Sequence, residues 1–333
     1  MKRLIAVDWG TSSLRAALLD EHGQVLEETA SPRGILTVAV DEFAPLLIAT
    51  CAHWTSTAGT FRLLSGMVGS RQGWQEAAYC PCPCGFAEVA ARLAWIAPSP
   101  GLERVAIVPG LSHEADGVPD VMRGEETQVF GALALLGLQD ARLVLPGTHS
   151  KWVRARGGRV ERFSTFMTGE FYALLRQHSI LARTLPEADG PLHEEAFLRG
   201  VQHARSSANL LHAAFSVRTL SLFERMPAAA LPSYLSGLVI GEELRTQSLE
   251  PGAAPVIVIG APALTLRYEI ALKAFGLTAR CVGSEATWRG LWAIARTLDT
   301  PHERTRQIHR GPAQRTAGRH PARHHSPRGR ARR

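Results

Sequence analysis

The chain has 333 residues, 45% of them hydrophobic, which is enough for two compact domains with separate cores. No apolar run approaches the roughly 20 residues of a membrane span, and only four apolar residues separate Met1-Lys2-Arg3 from Asp8, too few for a signal peptide. Five cysteines in a chain of this length do not form a disulfide framework. These properties exclude membrane-embedded and disulfide-rich secreted proteins, and they predict a cytoplasmic protein.

The net charge of +7 is concentrated at one end of the chain. Residues 301–333 contain ten arginines and one acid, Glu303, so the rest of the chain carries a net charge of −2. Because the only large aliphatic residue there is Ile308, we predict a basic, disordered tail over 300–333. RNA or anionic lipid could bind such a tail, but a solvated extension is the preferred interpretation. The nearly neutral body indicates no nucleic-acid partner.

The first part of the chain alternates apolar runs with helical patterns. Strands are predicted at 3–8, 14–20, 25–29, 61–66 and 104–108. Helices are predicted at 41–57, at 86–95 and from Glu125 to Leu136, with an irregular stretch before the last of them. The helix from Glu125 is apolar on most faces, so we expect it to be buried between layers.

The second part repeats this scheme. Strands are predicted at 142–146, 149–155, 160–165, 256–260 and 279–282. Helices are predicted at 169–181, 194–224, 265–275 and 284–298, and one more carries Pro232 in its first turn. The alternation predicts an α/β sheet in each half. We expect a first domain at 1–138, a second at 139–299 and the tail beyond them.

The same short hairpin occurs in both parts. Its turn reads Asp8-Trp-Gly-Thr-Ser-Ser13 in the first copy and Gly147-Thr-His-Ser-Lys151 in the second. Glycine lets the backbone approach a ligand closely, while hydroxyls and exposed amides supply hydrogen-bond donors. Two such turns facing each other across a cleft would bind a polyphosphate from both sides. The duplication therefore indicates a nucleotide enzyme built from two related domains.

The first turn is a candidate for phosphate and metal binding. Asp8 ends a buried strand, where its carboxylate can hold Mg²⁺ directly or through water. The candidates for phosphate contacts in this turn and on the next strand are Gly10, Thr11, Ser12, Ser13 and Arg15. A polar tight turn would explain one copy alone, and the second copy favours the functional interpretation.

The second turn supplies the partner set of phosphate contacts. Its candidates are Gly147, Thr148, His149, Ser150 and Lys151. Lys151 would add a point charge near the β- or γ-phosphate. Two interpretations of His149 stay open, a phosphate contact and a packed turn residue. The following Thr168-Gly169-Glu170 is predicted to cap a helix rather than to bind a ligand.

A third glycine turn, Gly260-Ala261, ends the apolar strand at 256–260 and opens a helix. Glycine removes the side chain that would block a ring, so this turn suits contact with adenosine. An ordinary strand-to-helix turn is the alternative.

Two acids, Glu125 and Glu126, begin the buried helix. A phosphoryl acceptor needs a nearby carboxylate to take its hydroxyl proton during attack. Acids also favour helix N-termini for electrostatic reasons alone. From the residues alone both interpretations stay open, with Glu125 the first candidate for a catalytic base and Glu126 kept in reserve.

The loop after the strand at 61–66 carries a polar group suited to a sugar acid. Arg71 has the fork geometry for a carboxylate, Gln72 can bind hydroxyls and Trp74 can stack on a carbon skeleton, with Ser70 beside them. A surface arginine in a loop is the alternative.

The nearby Cys80-Pro-Cys82-Pro-Cys84 run lacks zinc-site spacing, which favours a turn with incidental thiols over a metal site.

The order of these motifs resembles the sugar kinases of the actin-like ATPase superfamily, those related to glycerol kinase and xylulokinase. Four segments are more narrowly similar to the 2-dehydro-3-deoxygalactonokinase family. They are Gly66-Met-Val-Gly-Ser-Arg-Gln-Gly-Trp74, Arg123-Gly-Glu-Glu-Thr-Gln128, Leu145-Pro-Gly-Thr-His-Ser-Lys-Trp152 and Tyr234-Leu-Ser-Gly-Leu238. The resemblance covers about residues 3–298.

This resemblance implies two ribonuclease H-like domains, each a mixed sheet flanked by helices, with an interdomain cleft. It implies ATP- and Mg²⁺-dependent phosphorylation of 2-dehydro-3-deoxy-D-galactonate at its 6-hydroxyl in D-galactonate breakdown. Alternatives are another sugar or 2-keto-3-deoxy acid as substrate, and an actin-like ATPase without a sugar substrate. The stereoisomer of the sugar acid and the oligomeric state stay open, a homodimer being one option.

Overall fold

A computed structural model describes residues 3–54, 60–250 and 252–298 of the chain. The predicted basic tail lies outside these residues. Within them, no helix combines the length and the apolar composition needed to cross a membrane.

The described residues contain three β-sheets. Their strands are β1 (Leu4–Trp9), β2 (Leu14–Leu19), β3 (Val25–Ser31), β4 (Phe61–Ser65), β5 (Cys80–Pro81), β6 (Ala94–Trp95), β7 (Val105–Ile107), β8 (Leu111–Ala115), β9 (Val118–Met122), β10 (Ala141–Leu145), β11 (Ser150–Arg156), β12 (Arg159–Phe166), β13 (Val256–Ile259) and β14 (Ala279–Val282).

The two large sheets share one topology. The first has the order β3-β2-β1-β4-β7-β6 and the second the order β12-β11-β10-β13-β14. In each, a three-stranded antiparallel meander is followed by two parallel strands, and the first sheet adds β6 antiparallel to β7 at its edge. This is the arrangement of a ribonuclease H-like sheet, so the predicted duplicated α/β fold is confirmed.

Ten α-helices accompany the sheets in the described ranges. They are α1 (Phe43–Thr50), α2 (Phe86–Ala90), α3 (Glu125–Leu136), α4 (Thr168–His178), α5 (Glu194–Ser206), α6 (Leu210–Ala213), α7 (Ser216–Leu222), α8 (Leu231–Arg245), α9 (Pro262–Ala274) and α10 (Glu285–Thr297).

The prediction of one long helix at 194–224 is wrong. The structure has α5, α6 and α7 there, because the chain leaves the helical path after Ser206. The Asn209 side chain then starts α6 by accepting a hydrogen bond from the His212 amide at 3.1 Å. Serine and asparagine side chains compete with the helical backbone in this way, and they favour helix ends over helix interiors.

Two further elements differ from the prediction. The expected helix at 86–95 ends at Ala90, and the chain returns as the short strand β6 beside β7. The irregular stretch before Glu125 contains the hairpin of β8 and β9, which joins β5 in the third sheet. Asp116 and Gly117 close this hairpin with φ angles of 53° and 76°. An Asp-Gly pair between short strands is the sequence signal for such a turn.

The two large sheets are joined through α3 and α10. An added Cβ at Gly131 would lie 1.7 Å from the carbonyl oxygen of Ala286, and one at Gly290 would lie 1.8 Å from that of Thr127. Only glycine allows two helix backbones to approach so closely. The central core lies around this crossing, where α3 also contacts β10 and β13 and α10 contacts β1 and β4. The boundary near 137–141 stays a prediction.

Candidate active site

The first turn lies at the exposed end of a buried strand. The register of β1 and β2 places Asp8 opposite Arg15, and the Arg15 guanidinium donates a hydrogen bond to Asp8 Oδ2 at 2.5 Å. The Gly10 amide donates to the Ser13 carbonyl at 2.9 Å and closes the turn. Thr11, Ser12 and Ser13 are exposed, so their hydroxyls are accessible to a ligand.

Gly34 supports the first turn from behind, a role that the sequence analysis missed. An added Cβ at Gly34 would lie 2.3 Å from backbone atoms of Thr11 and Ser12. The next amide, that of Ile35, donates to the Gly10 carbonyl at 3.0 Å. The loop after β3 therefore holds the turn in place by direct backbone contact.

The second turn is supported in the same way by Gly169. An added Cβ at Gly169 would lie 2.4 Å from the Gly147 carbonyl oxygen, and the Glu170 amide donates to the Thr148 carbonyl at 3.0 Å. Gly34 and Gly169 each stand three residues beyond the third strand of their hairpin. Aligning the two hairpins past their third strands is the signal that would have found both.

The side chains that follow Thr148 have protein partners. His149 Nε2 lies 2.5 Å from Glu170 Oε2. The Lys151 ammonium is almost fully buried and donates to the Val121 carbonyl at 2.8 Å and to Thr165 Oγ1 at 2.7 Å. Through these bonds Lys151 ties the second hairpin to β9.

Ser150 belongs to a buried network centred on Glu243. The Glu243 carboxylate, which is 2% exposed, accepts hydrogen bonds from four side chains. They are Ser150 Oγ at 2.9 Å, Trp152 Nε1 at 2.6 Å, Tyr268 OH at 2.8 Å and Thr168 Oγ1. Burial raises the pKa of Glu243, and the hydrogen bonds partly offset that rise. The network joins β11, α4, α8 and α9 around the second turn.

The two candidate base residues have different environments. Glu126 is fully buried, and its carboxylate accepts hydrogen bonds from the Gly124 amide at 2.6 Å and from Ser65 Oγ at 3.4 Å. Burial, together with the adjacent Glu125, raises the pKa of Glu126 to about 8. Glu125 is half-buried and accepts from the Arg123 amide at 3.0 Å. Burial raises the pKa of Glu125, while the positive charge of Lys151 partly lowers it.

A glycine pair brings the first turn next to these acids. An added Cβ at Gly66, whose φ is 95°, would lie 3.3 Å from Asp8 Oδ1. An added Cβ at Gly124 would lie 3.3 Å from the Cα of Gly66. The structure thus places Asp8 beside the N-terminus of α3, and the charge of Lys151 from the second hairpin acts on Glu125 there.

The candidate sugar-acid loop follows Gly66. Arg71 is 86% exposed in its side chain and pairs with Glu76 at 3.0 Å, and Gln72 is also exposed. Trp74 stacks on Phe43, with ring centroids 6.1 Å apart. The hydroxyl of Ser70 is buried without a hydrogen-bond partner.

Arg123 fixes this loop beside the acids. Its guanidinium donates to the Ala77 carbonyl at 2.7 Å and lies over the Tyr79 ring at 4.5 Å. Arg123 thus contacts the loop through its side chain and the Glu125 carboxylate through its backbone amide. The sequence motif that contains Arg123 did not indicate this role.

A cavity of about 320 Å³ adjoins the second turn. Its polar and apolar walls come from the second hairpin, α4, α8 and α9, and they include Gly147, Thr148, Gly169, Tyr172, Ser236, Val239, Ile240, Leu264 and Arg267. Arg267, one of the lining residues, has a buried nitrogen, Nη1, that finds no hydrogen-bond partner among the residues that the structure describes. Gly260 lies close by, because its added Cβ would lie 3.7 Å from the Pro146 carbonyl, and Ala261 precedes α9.

The donor set near Asp8 fits Mg²⁺. Asp8 uses Oδ2 for Arg15 and keeps Oδ1 on the side of Gly66. No group of three or more His, Cys, Asp or Glu side chains in the described ranges is placed to hold a metal by itself. Mg²⁺ typically binds one or two carboxylates and takes its other ligands from water and substrate phosphates.

Duplicated ribonuclease H-like sheets with paired glycine turns and adjacent carboxylates are typical of phosphotransferases of the sugar-kinase class, which transfer phosphate to an alcohol group.

Comparison with known proteins defines the family. A family model described as 2-keto-3-deoxy-galactonokinase matches residues 8–294, and the chain belongs to that family. A Rhizobium meliloti protein assigned as a 2-dehydro-3-deoxygalactonokinase is 41% identical over 301 residues, covering 88% of this chain and 96% of the relative. The 2-dehydro-3-deoxygalactonokinase of Escherichia coli is 32% identical over 298 residues, covering 89% and 98%.

A solved structure agrees with this assignment. The crystal structure of a protein assigned to the same activity, from Sinorhizobium meliloti, matches with a TM-score of 0.82 and 39% identity. The match covers 90% of this chain and 99% of that one. The predicted family is therefore confirmed.

Replacing Glu126 with Gln should raise the melting temperature at about pH 9 and leave it nearly unchanged at about pH 5. Because the folded-state pKa is raised to about 8, the wild-type protein loses stability as the pH rises from the ordinary glutamate value of about 4.3 through 8. The amide keeps an acceptor for the Gly124 amide but does not ionise. Calorimetry at both pH values measures the difference. If the melting temperature of the Glu126→Gln variant instead falls below that of wild type as the pH rises, the fold stabilises the ionised Glu126 carboxylate.

Replacing Gly169 with Ala should raise the KM for ATP by about tenfold or more, because the added Cβ displaces the Gly147 carbonyl and its turn. Alanine favours helices over glycine by up to about 1 kcal/mol, so helix propensity alone predicts no loss. Gly190→Ala is the matched control, since nothing lies within 4 Å of its added Cβ. Steady-state kinetics measure these values, and an unchanged KM for ATP in both variants would show that Gly169 does not support the turn.

Proposed function

We propose that this chain transfers the γ-phosphoryl group of ATP to the 6-hydroxyl of 2-dehydro-3-deoxy-D-galactonate, in the cytoplasm, as a step of D-galactonate breakdown. Membership of the family supports the reaction. The observation that carries the residue assignment is the half-buried Glu125 carboxylate at the N-terminus of α3, beside the first turn and near the charge of Lys151.

The nucleotide is proposed to bind to residues 139–299, with its base and ribose in the cavity beside the second turn. The unpartnered nitrogen of Arg267 supports this placement, because a buried donor gains most from a ligand acceptor. Apolar side chains such as Val239 and Ile240 would contact the base, and the Gly260-Ala261 turn would border the ribose.

The triphosphate is proposed to lie between the two turns. The exposed hydroxyls of Thr11, Ser12, Ser13 and Thr148 would bind its oxygens, and Gly10 and Gly147 shape the two turns that carry them. Ser150 and Lys151 already have buried protein partners, so we assign them to holding the second turn. His149, paired with Glu170, borders the same turn.

Asp8 would hold Mg²⁺, which when bound neutralises charge on the phosphates. Arg15 keeps the Asp8 carboxylate oriented toward the turn through the hydrogen bond to Oδ2. The Arg15 side chain is 42% exposed, which leaves it able to contact a phosphate oxygen.

Glu125 is proposed as the base. It takes the proton of the 6-hydroxyl while the oxygen bonds to the γ-phosphorus and the bond to the β-phosphate oxygen breaks, releasing ADP. Glu126 is a poor base because it is fully buried and, with a pKa near 8, mostly protonated at neutral pH. Closure of the two proposed domains, 1–138 and 139–299, would exclude water and suppress hydrolysis.

An ADP-release assay with ATP, Mg²⁺ and a panel of 2-keto-3-deoxy sugar acids tests the proposal directly. We expect turnover with 2-dehydro-3-deoxy-D-galactonate and a 6-phosphate product by mass spectrometry and NMR. Preference for the gluconate-derived stereoisomer would reassign the substrate. Slow ATP hydrolysis that no sugar acid stimulates would overturn the kinase and favour an actin-like ATPase.

Replacing Glu125 with Gln should lower kcat by about 10²- to 10⁴-fold and leave the KM for ATP nearly unchanged, because only proton transfer is lost. The wild-type kcat should fall with decreasing pH through a pKa above the ordinary glutamate value, since burial raises the pKa of Glu125. That acid limb should be absent in the variant. Glu126→Gln is the matched control and should retain most of the activity; the reverse result would move the base to Glu126.

Replacing Arg71 with Ala should raise the KM for the sugar acid by about 10- to 100-fold, the loss expected for a charge-assisted hydrogen bond, without changing the KM for ATP. The control is Glu76→Gln, which frees the Arg71 guanidinium and should not weaken sugar-acid binding. If the KM values for the sugar acid and for ATP rise equally, Arg71 does not bind the substrate carboxylate.

A further inference from the structure

The second sheet carries three arginines in one row. The register pairs Arg142 of β10 with Arg154 of β11, and Arg154 with Arg162 of β12. Directly opposed residues in antiparallel strands project from the same face, with Cβ atoms about 5 Å apart. These three residues, which we call the arginine row, therefore place three positive charges side by side on one face of the sheet.

Like charges in this arrangement destabilise a sheet unless opposite charges offset them. One acid does so in part, since Glu161 pairs with Arg154 at 3.0 Å. Arg142 donates one hydrogen bond to the Ser248 carbonyl. In the described part of the chain, the Arg162 side chain has neither an ion pair nor a hydrogen bond. The row therefore keeps an excess of positive charge and of free donors.

The arginine row lines a concave site. A cavity of about 280 Å³ is bounded by all three arginines, by His113 and by the polar residues Thr246, Gln247 and Ser248, which follow α8. The carbonyls at the end of α8 attract cations, which accounts for Arg142 but not for the two further arginines. A concave wall of arginine side chains with few acids is suited to an anion.

This cavity is separate from the two turns. Arg142 stands near the start of β10, whereas the second turn follows the end of that strand at Leu145. Trp152 lines the cavity and donates to Glu243 at 2.6 Å, and the buried Glu243 carboxylate in turn accepts from Ser150 of the second turn. A ligand in the cavity would therefore not contact the phosphate turns.

We propose that the arginine row is a second anion-binding site, which binds a dianion of the phosphate type, either inorganic phosphate or a phosphate monoester. The guanidinium forks of Arg154 and Arg162 bind its oxygens, and Arg142, fixed by the Ser248 carbonyl, borders it. The bound dianion also relieves the repulsion within the row, so binding stabilises the folded protein.

Thermal unfolding with inorganic phosphate tests this site. The full chain is titrated with phosphate against chloride at matched ionic strength, with a non-hydrolysable ATP analogue and Mg²⁺ at saturation to fill the turns. We expect wild type to show a saturable rise in melting temperature. Arg162→Gln should weaken apparent phosphate binding by about tenfold or more. At low salt without phosphate, the melting temperature of the Arg162→Gln variant should be no lower than that of wild type, because the substitution removes one of three like charges.

Arg280→Gln is the matched control, since Arg280 is an exposed arginine on β14, at the opposite edge of the same sheet. It should retain the wild-type response. The same phosphate dependence in wild type and Arg162→Gln would overturn the proposal and leave the row a solvated charge cluster.

A parallel titration with a sugar-acid phosphate distinguishes the source: tighter binding assigns the site to a monoester, and equal binding to free phosphate. Because the readout is unfolding, failure of the kinase assignment would not alter it.

Discussion

The close crossing of α3 and α10 determines where the carboxylates of the site lie. Gly131 and Gly290 allow backbone contact between these helices, so α3, which contacts the second sheet, and α10, which contacts the first, pack against each other between the two large sheets. Its N-terminus then stands beside the first turn through Gly66 and near the second hairpin through Lys151. A side chain larger than hydrogen at either crossing glycine would separate the helices and move Glu125 away from both turns.

The two hairpins share a backbone design but differ in their side-chain support. In each, a glycine three residues beyond the third strand contacts the turn, at Gly34 and Gly169. The first turn keeps an acid and an arginine at its exposed end. The second is held from the interior by the Glu243 network and by Lys151. The same backbone thus presents the Asp8 carboxylate on one side and, on the other, a turn held by buried hydrogen bonds.

Local patterns were sufficient to predict much of the fold and part of the site. The strands, both turns and the start of α3 at Glu125 follow from apolar periodicity, glycine placement and the acids at a helix N-terminus. The hairpin of β8 and β9 was missed because about half of its side chains are exposed, although Asp116-Gly117 marks its turn. The break between α5 and α6 was missed because the apolar pattern continues across Ser206 and Asn209.

By itself the sequence determined the duplicated hairpin, the ribonuclease H-like order and the residue types of the candidate site, because these depend on short-range spacing and backbone preference. Only the tertiary structure decided which side chains face a ligand. Ser150 and Lys151 turn into buried networks, Glu126 is enclosed while Glu125 is not, and three arginines on successive strands meet in one row. Burial, charge proximity and cross-strand register arise from contacts between distant segments, which no local pattern encodes.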